Sequence, residues 1–295
     1  MTPDRRRASL AAGARLVRAE QGPTGTPFEK PDGIALEGIR GQQTVRVQNR
    51  LLAGLAPSSF ERLRPLLQPV ALKRRAILQD YHHPIEHIYF IERGVASLLV
   101  RTQRDGPVEI AMVGRLGFVG VAAVLGIQRP ANRCLMSVPG YALRITVCDL
   151  QRAMQWDPEI RQQLFSYVHA LLVHNAQTTL CSARHSLEER LSRWLLLAAD
   201  RLDDRVIPVT HDMLSVILGV RRASVTTTLA ELERDGGVVK LRGAIDLCDR
   251  NVLMRRTCEC YQIISSEYGH LNRNGCHEHR FPVAASLMRA CLCCV

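Results

Sequence analysis

Apolar and polar positions change their period three times along this chain, and each change marks a different kind of element. From Leu51 the apolar residues fall in short helical groups: Leu51, Leu52 and Leu55, then Leu63, Leu66 and Leu67 behind Ser58 and Glu61, which have capping-box spacing. From Pro69 to Val147 the pattern is that of strands. Residues 70–72, 77–78, 88–91, 95–100, 108–113 and 142–147 are short runs rich in branched side chains. Turn signals stand between them at Glu92-Arg93-Gly94, Asp105-Gly106-Pro107 and Pro139-Gly140. Short strands at this spacing predict a small antiparallel barrel or roll.

The helical period then returns. Asp157 as a cap, Pro158 at the first helical position and Glu159 at the positive end of the dipole open a helix that should run to about Ser182. Within it Leu164, Val168, Leu171, Asn175 and Thr178 alternate four- and three-residue steps, the spacing of a coiled-coil seam in which one Asn fixes register. This favours a homodimer through the helix, against the alternative that the stripe packs on the roll of its own chain. Ser186 and Glu189 form a second capping box before the amphipathic run Leu191, Trp194, Leu195, Leu197, Ala198.

Residues 210–239 read as two short helices joined at Gly219, with Leu214, Ile217, Leu218, Val220, Val225, Leu229 and Leu232 as their core. A tight hairpin, 238–241 and 244–247 joined at Arg242-Gly243, follows as a wing. Asp249 should cap a last helix through Met254 and Cys260 toward Tyr261, and periodicity is lost beyond Gly269. In a helix-turn-helix the second helix enters the DNA major groove by its first turn. Here that turn offers Arg222, Ala223 and Thr227 to the base edges, where an arginine fork reads guanine. Arg221, Ser224 and Thr226 are placed for phosphates.

The chain is therefore expected to be α+β in five parts. Residues 1–47 form a disordered basic arm and 48–155 the β-roll; 156–183 form the long helix and 184–268 the winged helix-turn-helix. Residues 269–295 form a disordered tail containing Cys and His. The formal net charge of +11 over 295 residues favours a polyanionic partner. No apolar run approaches the ~18–20 residues of a membrane span. Arg5, Arg6 and Arg7 precede a short apolar stretch in the manner of an export signal, but Arg15 and Arg18 interrupt it. The expectation is a cytoplasmic protein without a membrane partner, whose ten cysteines are reduced thiols.

These residues, in this order, resemble the Crp/Fnr family of bacterial transcription regulators over approximately residues 49–268. The likeness is strongest in residues 214–236 and in Gly94, Gly114, Gly117 and Gly120 of the roll. The resemblance implies an N-terminal roll of the cyclic-nucleotide-binding jelly-roll type, a long dimerisation helix and a C-terminal winged helix-turn-helix. It implies double-stranded DNA carrying a palindrome as partner, a second copy of the chain, and RNA polymerase as a further candidate. The family's recognition helix often carries Arg-Glu and, four residues after the Glu, Arg. Those positions here are Arg222, Ala223 and Thr227, so a different DNA sequence should be read.

In cyclic-nucleotide binders a Gly-Glu pair holds the ribose and a later Arg holds the phosphate. Here Gly120 is followed by Val121, and Arg133 lies near the later position without its spacing, so the effector pocket they mark should not take cyclic AMP or cyclic GMP. The oxygen-sensing branch has an N-terminal cysteine cluster, whereas the first cysteine here is Cys134, so no iron–sulfur centre is expected either. No metal site is expected. The tail's Cys276, His277, His279, Cys291, Cys293 and Cys294 have no tight ligand spacing. Cys258 and Cys260 read as buried structural thiols, and Pro84 breaks the pattern of His82, His83 and His87. No cofactor and no catalytic residues are expected, so the chain reads as a regulator and not an enzyme. The alternatives are a ligand-binding module acting on a protein partner, or a redox or metal sensor using the C-terminal cysteines.

Overall fold

In the computed structural model, which describes residues 42–104, 106–271, 277–284 and 287, the chain opens on β1 (Gln42–Arg46) and two short helices, α1 (Arg50–Ala53) and α2 (Pro57–Leu63). The roll comprises β2 (Gln68–Leu72), β3 (Ile77–Gln79), β4 (His87–Val100), β5 (Val108–Val113), β6 (Phe118–Val119) and β7 (Arg133–Thr146), with α3 (Val121–Val124) before β7. Then come α4 (Val147–Trp156), the long α5 (Pro158–Arg184), α6 (Leu187–Leu202), β8 (Val206–Ile207), α7 (His211–Leu218) and α8 (Arg222–Arg234). The hairpin β9 (Val238–Leu241) and β10 (Ala244–Leu247), α9 (Arg250–Arg256), α10 (Cys260–His270) and β11 (Arg280–Ala284) complete the order.

The α+β architecture is as expected, with an antiparallel roll ahead of a long helix and a winged helix-turn-helix. Its spine is the pairing of β4 with β7, flanked by β2 and β3 on β7 and by β5 and β6 on β4. Two expected turns are not turns. Glu92-Arg93-Gly94 lies inside β4 and Pro139-Gly140 inside β7, where the β4–β7 register slips between Ile91 and Ala96. Gly94 takes φ 92°, so the irregularity bends two continuous strands instead of ending four short ones.

The N-terminal capping box is also corrected. α2 starts at Pro57, and Glu159 of α5 accepts from the Ala56 amide at 2.8 Å and the Ser59 hydroxyl at 2.6 Å. A distant carboxylate thus takes the part expected of Glu61, accepting from the amide of the capping residue. At α5 Asp157 accepts from the Glu159 amide at 3.0 Å, and at α6 the Ser186–Glu189 capping box is complete.

The stripe read as a dimer seam packs on its own chain. Leu164, Val168 and Leu171 are buried with Tyr167, whose ring lies 4.7 Å from that of Phe118 in the roll. Thr178 accepts from Arg193 of α6 at 3.2 Å. One residue further on, with the same alternating steps, Phe165, His169, Leu172, Ala176 and Thr179 are exposed. Among the large apolar side chains of α5, Leu172 is 63% exposed, Leu180 45% and Phe165 41%.

The expected last helix is two, because residues 257–259 interrupt it, and α10 folds back along α5. The expected disorder at both ends is corrected at its edges. Residues 42–46 pair antiparallel with 280–284, and His279 stacks on Phe60 at 4.1 Å while its Nε2 meets the Leu55 carbonyl at 2.9 Å. The rest of the arm, residues 1–41, and Cys276, Cys291, Cys293 and Cys294 lie outside the described residues. Among the described residues no helix is long and apolar enough to cross a membrane.

Candidate nucleic-acid interface

The helix-turn-helix is built from its caps inward. Thr210 accepts from the Met213 amide at 3.2 Å to start α7, and Gly219 ends it in the left-handed region at φ 64°. Leu214, Ile217, Leu218, Val225, Leu229 and Leu232 are buried between the two helices, and Val220 is half-buried. That packing fixes the phase of α8 and turns Arg221, Arg222, Ala223, Ser224, Thr226 and Thr227 outward; all six are exposed.

Arg222 Nε lies 3.2 Å from Asp212 Oδ1, with both side chains about two-thirds exposed. A pair so solvated is worth roughly 0–1 kcal/mol, little enough to be exchanged for a base or a phosphate. The threonine hydroxyls are already committed as donors. Thr226 donates to the Arg222 carbonyl at 3.1 Å, Thr227 to that of Ala223 at 3.2 Å and Thr228 to that of Ser224 at 3.0 Å. Thr227 can therefore offer a base an acceptor lone pair or its methyl group, but no proton. His211 was not singled out from the sequence. Its Nδ1 lies 3.0 Å from Thr226 Oγ1. The exposed Arg242 at the hairpin tip is a further cation, beside Arg221 and Arg222, that the recognition-helix pattern could not reveal.

The effector-pocket expectation divides. Gly120 and Val121 line a cavity of about 220 Å³ between the roll and α5, together with Phe118, Leu171, Leu172 and Asn175. Arg133 does not belong to it. Its guanidinium is held by Asp80 at 2.7 and 3.1 Å, and no Arg or Lys lines the cavity among the described residues. His82, His83 and His87, whose pattern Pro84 interrupts, are not among the metal-ligating groups that converge in the described residues. Among the described residues the metal-ligating side chains that converge are Cys181, His185, Cys258 and Cys260.

The roll and the DNA-binding domain meet at a buried polar contact. Trp194 of α6 donates its indole N–H to Glu109 Oε1 of β5 at 2.7 Å. Burial outweighs hydrogen bonds from Ser97 and Trp194 and the charges of Arg193 and Arg201, pushing the Glu109 carboxyl up to about 7.

Residues 189–256 match the Crp-like helix-turn-helix domain family. No curated protein sequence matches the chain. In fold the chain is similar to FixK2 from Bradyrhizobium japonicum, 16% identical over 65% of this chain and 98% of that one, with a TM-score of 0.55. It is similar to the c-di-GMP responsive global regulator CLP of Xanthomonas campestris, 16% identical over 66% of this chain and 100% of that one, TM-score 0.55. A third is TTHA1359 from Thermus thermophilus, a CRP/FNR-family transcriptional regulator, 21% identical over 64% of this chain and 97% of that one, TM-score 0.52. The chain thus carries a Crp-like helix-turn-helix DNA-binding domain behind a roll and long helix that have the fold of the Crp/Fnr transcription regulators.

Proposed function

We propose that this chain is a non-enzymatic, sequence-specific transcription regulator that binds a palindromic DNA site as a homodimer and does not answer to cyclic AMP. The observation that carries the reading is the outward face of α8, where six polar or small side chains stand exposed over a fully buried helix-turn-helix core. Arg222, Ala223 and Thr227 read base edges, while Arg221 and Ser224 hold phosphates. Thr226, also placed for phosphates by the sequence, has its hydroxyl proton on the Arg222 carbonyl and does not donate to one. RNA polymerase is the protein partner such a regulator addresses.

The dimer reading rests on the exposed α5 stripe, since Phe165 and Leu172 leave apolar surface in water at the step of a helix–helix seam, with Leu180 exposed beside it. Leu172 also lines the cavity, so a partner helix laid on the stripe stands over its mouth. The cavity, lined by apolar side chains and the carboxamides of Gln79, Asn132 and Asn175 without a cation, supports an uncharged effector or none. A cyclic phosphate needs a cation or a cluster of donors, and Arg133 is turned to Asp80 instead.

The test is selection of bound duplexes from a random pool by the purified protein without added ligand. Enrichment of a palindrome with half-site centres about one helical turn, ~34–36 Å, apart is expected. Binding without an enriched sequence overturns the reading of α8, and an asymmetric single site overturns the dimer.

A further inference from the structure

Four metal-ligating side chains converge where α5 hands over to the DNA-binding domain, and all four lie outside residues 189–256. Cys181 stands on the last turn of α5. His185, four residues on, is the first residue past the helix, so the two share one face. Cys258 lies in the break between α9 and α10, and Cys260, beyond Glu259, opens α10. Cys181 Sγ lies 3.5 Å from Cys258 Sγ, and Cys260 Sγ lies 3.6 Å from His185 Nδ1. All four ligand atoms fall within 4.8 Å of one another.

Zinc–sulfur bonds of ~2.3 Å and zinc–nitrogen bonds of ~2.0–2.1 Å give a tetrahedron with edges of about 3.5–3.8 Å. The Cys181–Cys258 and Cys260–His185 separations are close to those edges, and the remaining pairs, all within 4.8 Å, need to close by about an ångström at most. We propose that Cys181, His185, Cys258 and Cys260 bind one zinc ion. Three thiolates and one imidazole are a closed structural set, leaving no position for a reacting water. Arg193, whose charge acts on Cys181 and Cys260, offsets the single negative charge of such a centre.

Two simpler accounts use less of the geometry. Packing alone would treat the three buried thiols as small hydrophobes and gives His185 no reason to turn toward them. A Cys181–Cys258 disulfide would leave Cys260 and His185 unemployed. A four-iron cluster fits poorly, because each cysteine sulfur binds a different iron and the sulfurs stand further apart than around one ion. His185 is also the extended residue between α5, which ends at Arg184, and Ser186, which caps α6. The ion therefore fastens the connection between the long helix and the DNA-binding domain, with α10 as its third attachment.

The experiment uses the full chain purified under reductant. Metal content is measured by mass spectrometry, and the metal-stripped protein is titrated with Co²⁺, whose thiolate charge-transfer and ligand-field bands report ligand type. One zinc per chain and saturation at one cobalt are expected for the wild type. The same is expected for C248S, an exposed thiol outside the cluster, and for a tail variant carrying C291S, C293S and C294S. Cys181→Ser and Cys258→Ser should no longer saturate at one cobalt. His185→Cys should still bind, with its bands moved to those of four thiolates, a change that a folding defect does not produce. A wild type without zinc and without the cobalt bands overturns the proposal. So does metal that is lost from the tail variant but kept in C258S, and so does iron with labile sulfide in the isolated protein.

Discussion

Glu109 ties the roll to the DNA-binding domain, and its titration gives that tie a measurable pH dependence. Its carboxyl is pushed up to about 7 in the folded chain against an ordinary 4.5, so folding favours the protonated form. As pH rises through this window the unfolded chain releases its proton first, and stability falls. Below 4.5 both states are protonated; above 7 the full cost of the buried carboxylate is present and constant. At about 1.36 kcal/mol per pH unit that cost is on the order of 3 kcal/mol. Glu109→Gln retains an oxygen for the Trp194 indole but cannot ionise. Relative to the wild type, the variant should gain about 3 kcal/mol of stability between pH 4.5 and pH 8. Urea unfolding across that range, followed by Trp194 emission in a Trp156→Phe background, reads the difference. Trp156 is exposed and is the other of the chain's two tryptophans, so its removal isolates the buried reporter. Glu92, also pushed up to about 7 by burial, is present in both proteins and cancels. Stability curves that run parallel from pH 4.5 to 8 would refute the argument.

Three further outcomes are expected. Arg222→Ala should lose ~1–3 kcal/mol of discrimination at one symmetric base pair in each half-site, whereas Arg221→Ala should weaken all sequences alike. Uniform weakening by the first, measured by competition with substituted duplexes, removes Arg222 from base reading. Gly117→Ala should lower the thermal midpoint, since its Cβ would lie 2.2 Å from the Tyr167 ring where α5 meets the roll, an overpacking worth ~1–3 kcal/mol; an unchanged melt denies that close approach. Leu172→Glu should give a monomer in sedimentation velocity while leaving the chain folded, because the side chain is exposed and faces away from the core. A persistent dimer would place the interface elsewhere.

What the sequence made legible follows the range of the interactions involved. Local signals succeeded: the caps at Asp157, Ser186 and Asp249, the turn at Gly219 and the hairpin bounds depend on residues a few positions apart. The outward face of α8 followed from its apolar period, which fixes what must point away. Failures came where a distant partner decided. Gly94 and Gly140 look like turn residues, and only the opposed strand converts them into an irregularity of one long ladder. The α5 stripe has seam spacing, but spacing cannot say whether a second chain or its own roll covers it. Arg133 sat close to the phosphate position by number and was drawn to Asp80, 53 residues away. Cys181 and His185 carried no signal by themselves. They gain meaning from Cys258 and Cys260, 77 and 75 residues further along the chain, to which they come close.

The short ribbon of β1 and β11 has a consequence for the order in which the molecule assembles. Its innermost pair joins Arg46 to Arg280, so in an unfolded chain it would close a loop of more than two hundred residues. The loop-closure entropy is on the order of 5 kcal/mol, more than an isolated two-stranded ribbon supplies. The ribbon can form only after the roll and the helices have brought its ends together, so its pairing comes late in folding and opens early in native-state hydrogen exchange. During synthesis β1 is the first of these strands to leave the ribosome, and its partner is the last. Until then it remains an unpaired edge, available to a neighbouring chain, and the speed with which β11 arrives sets how long that exposure lasts.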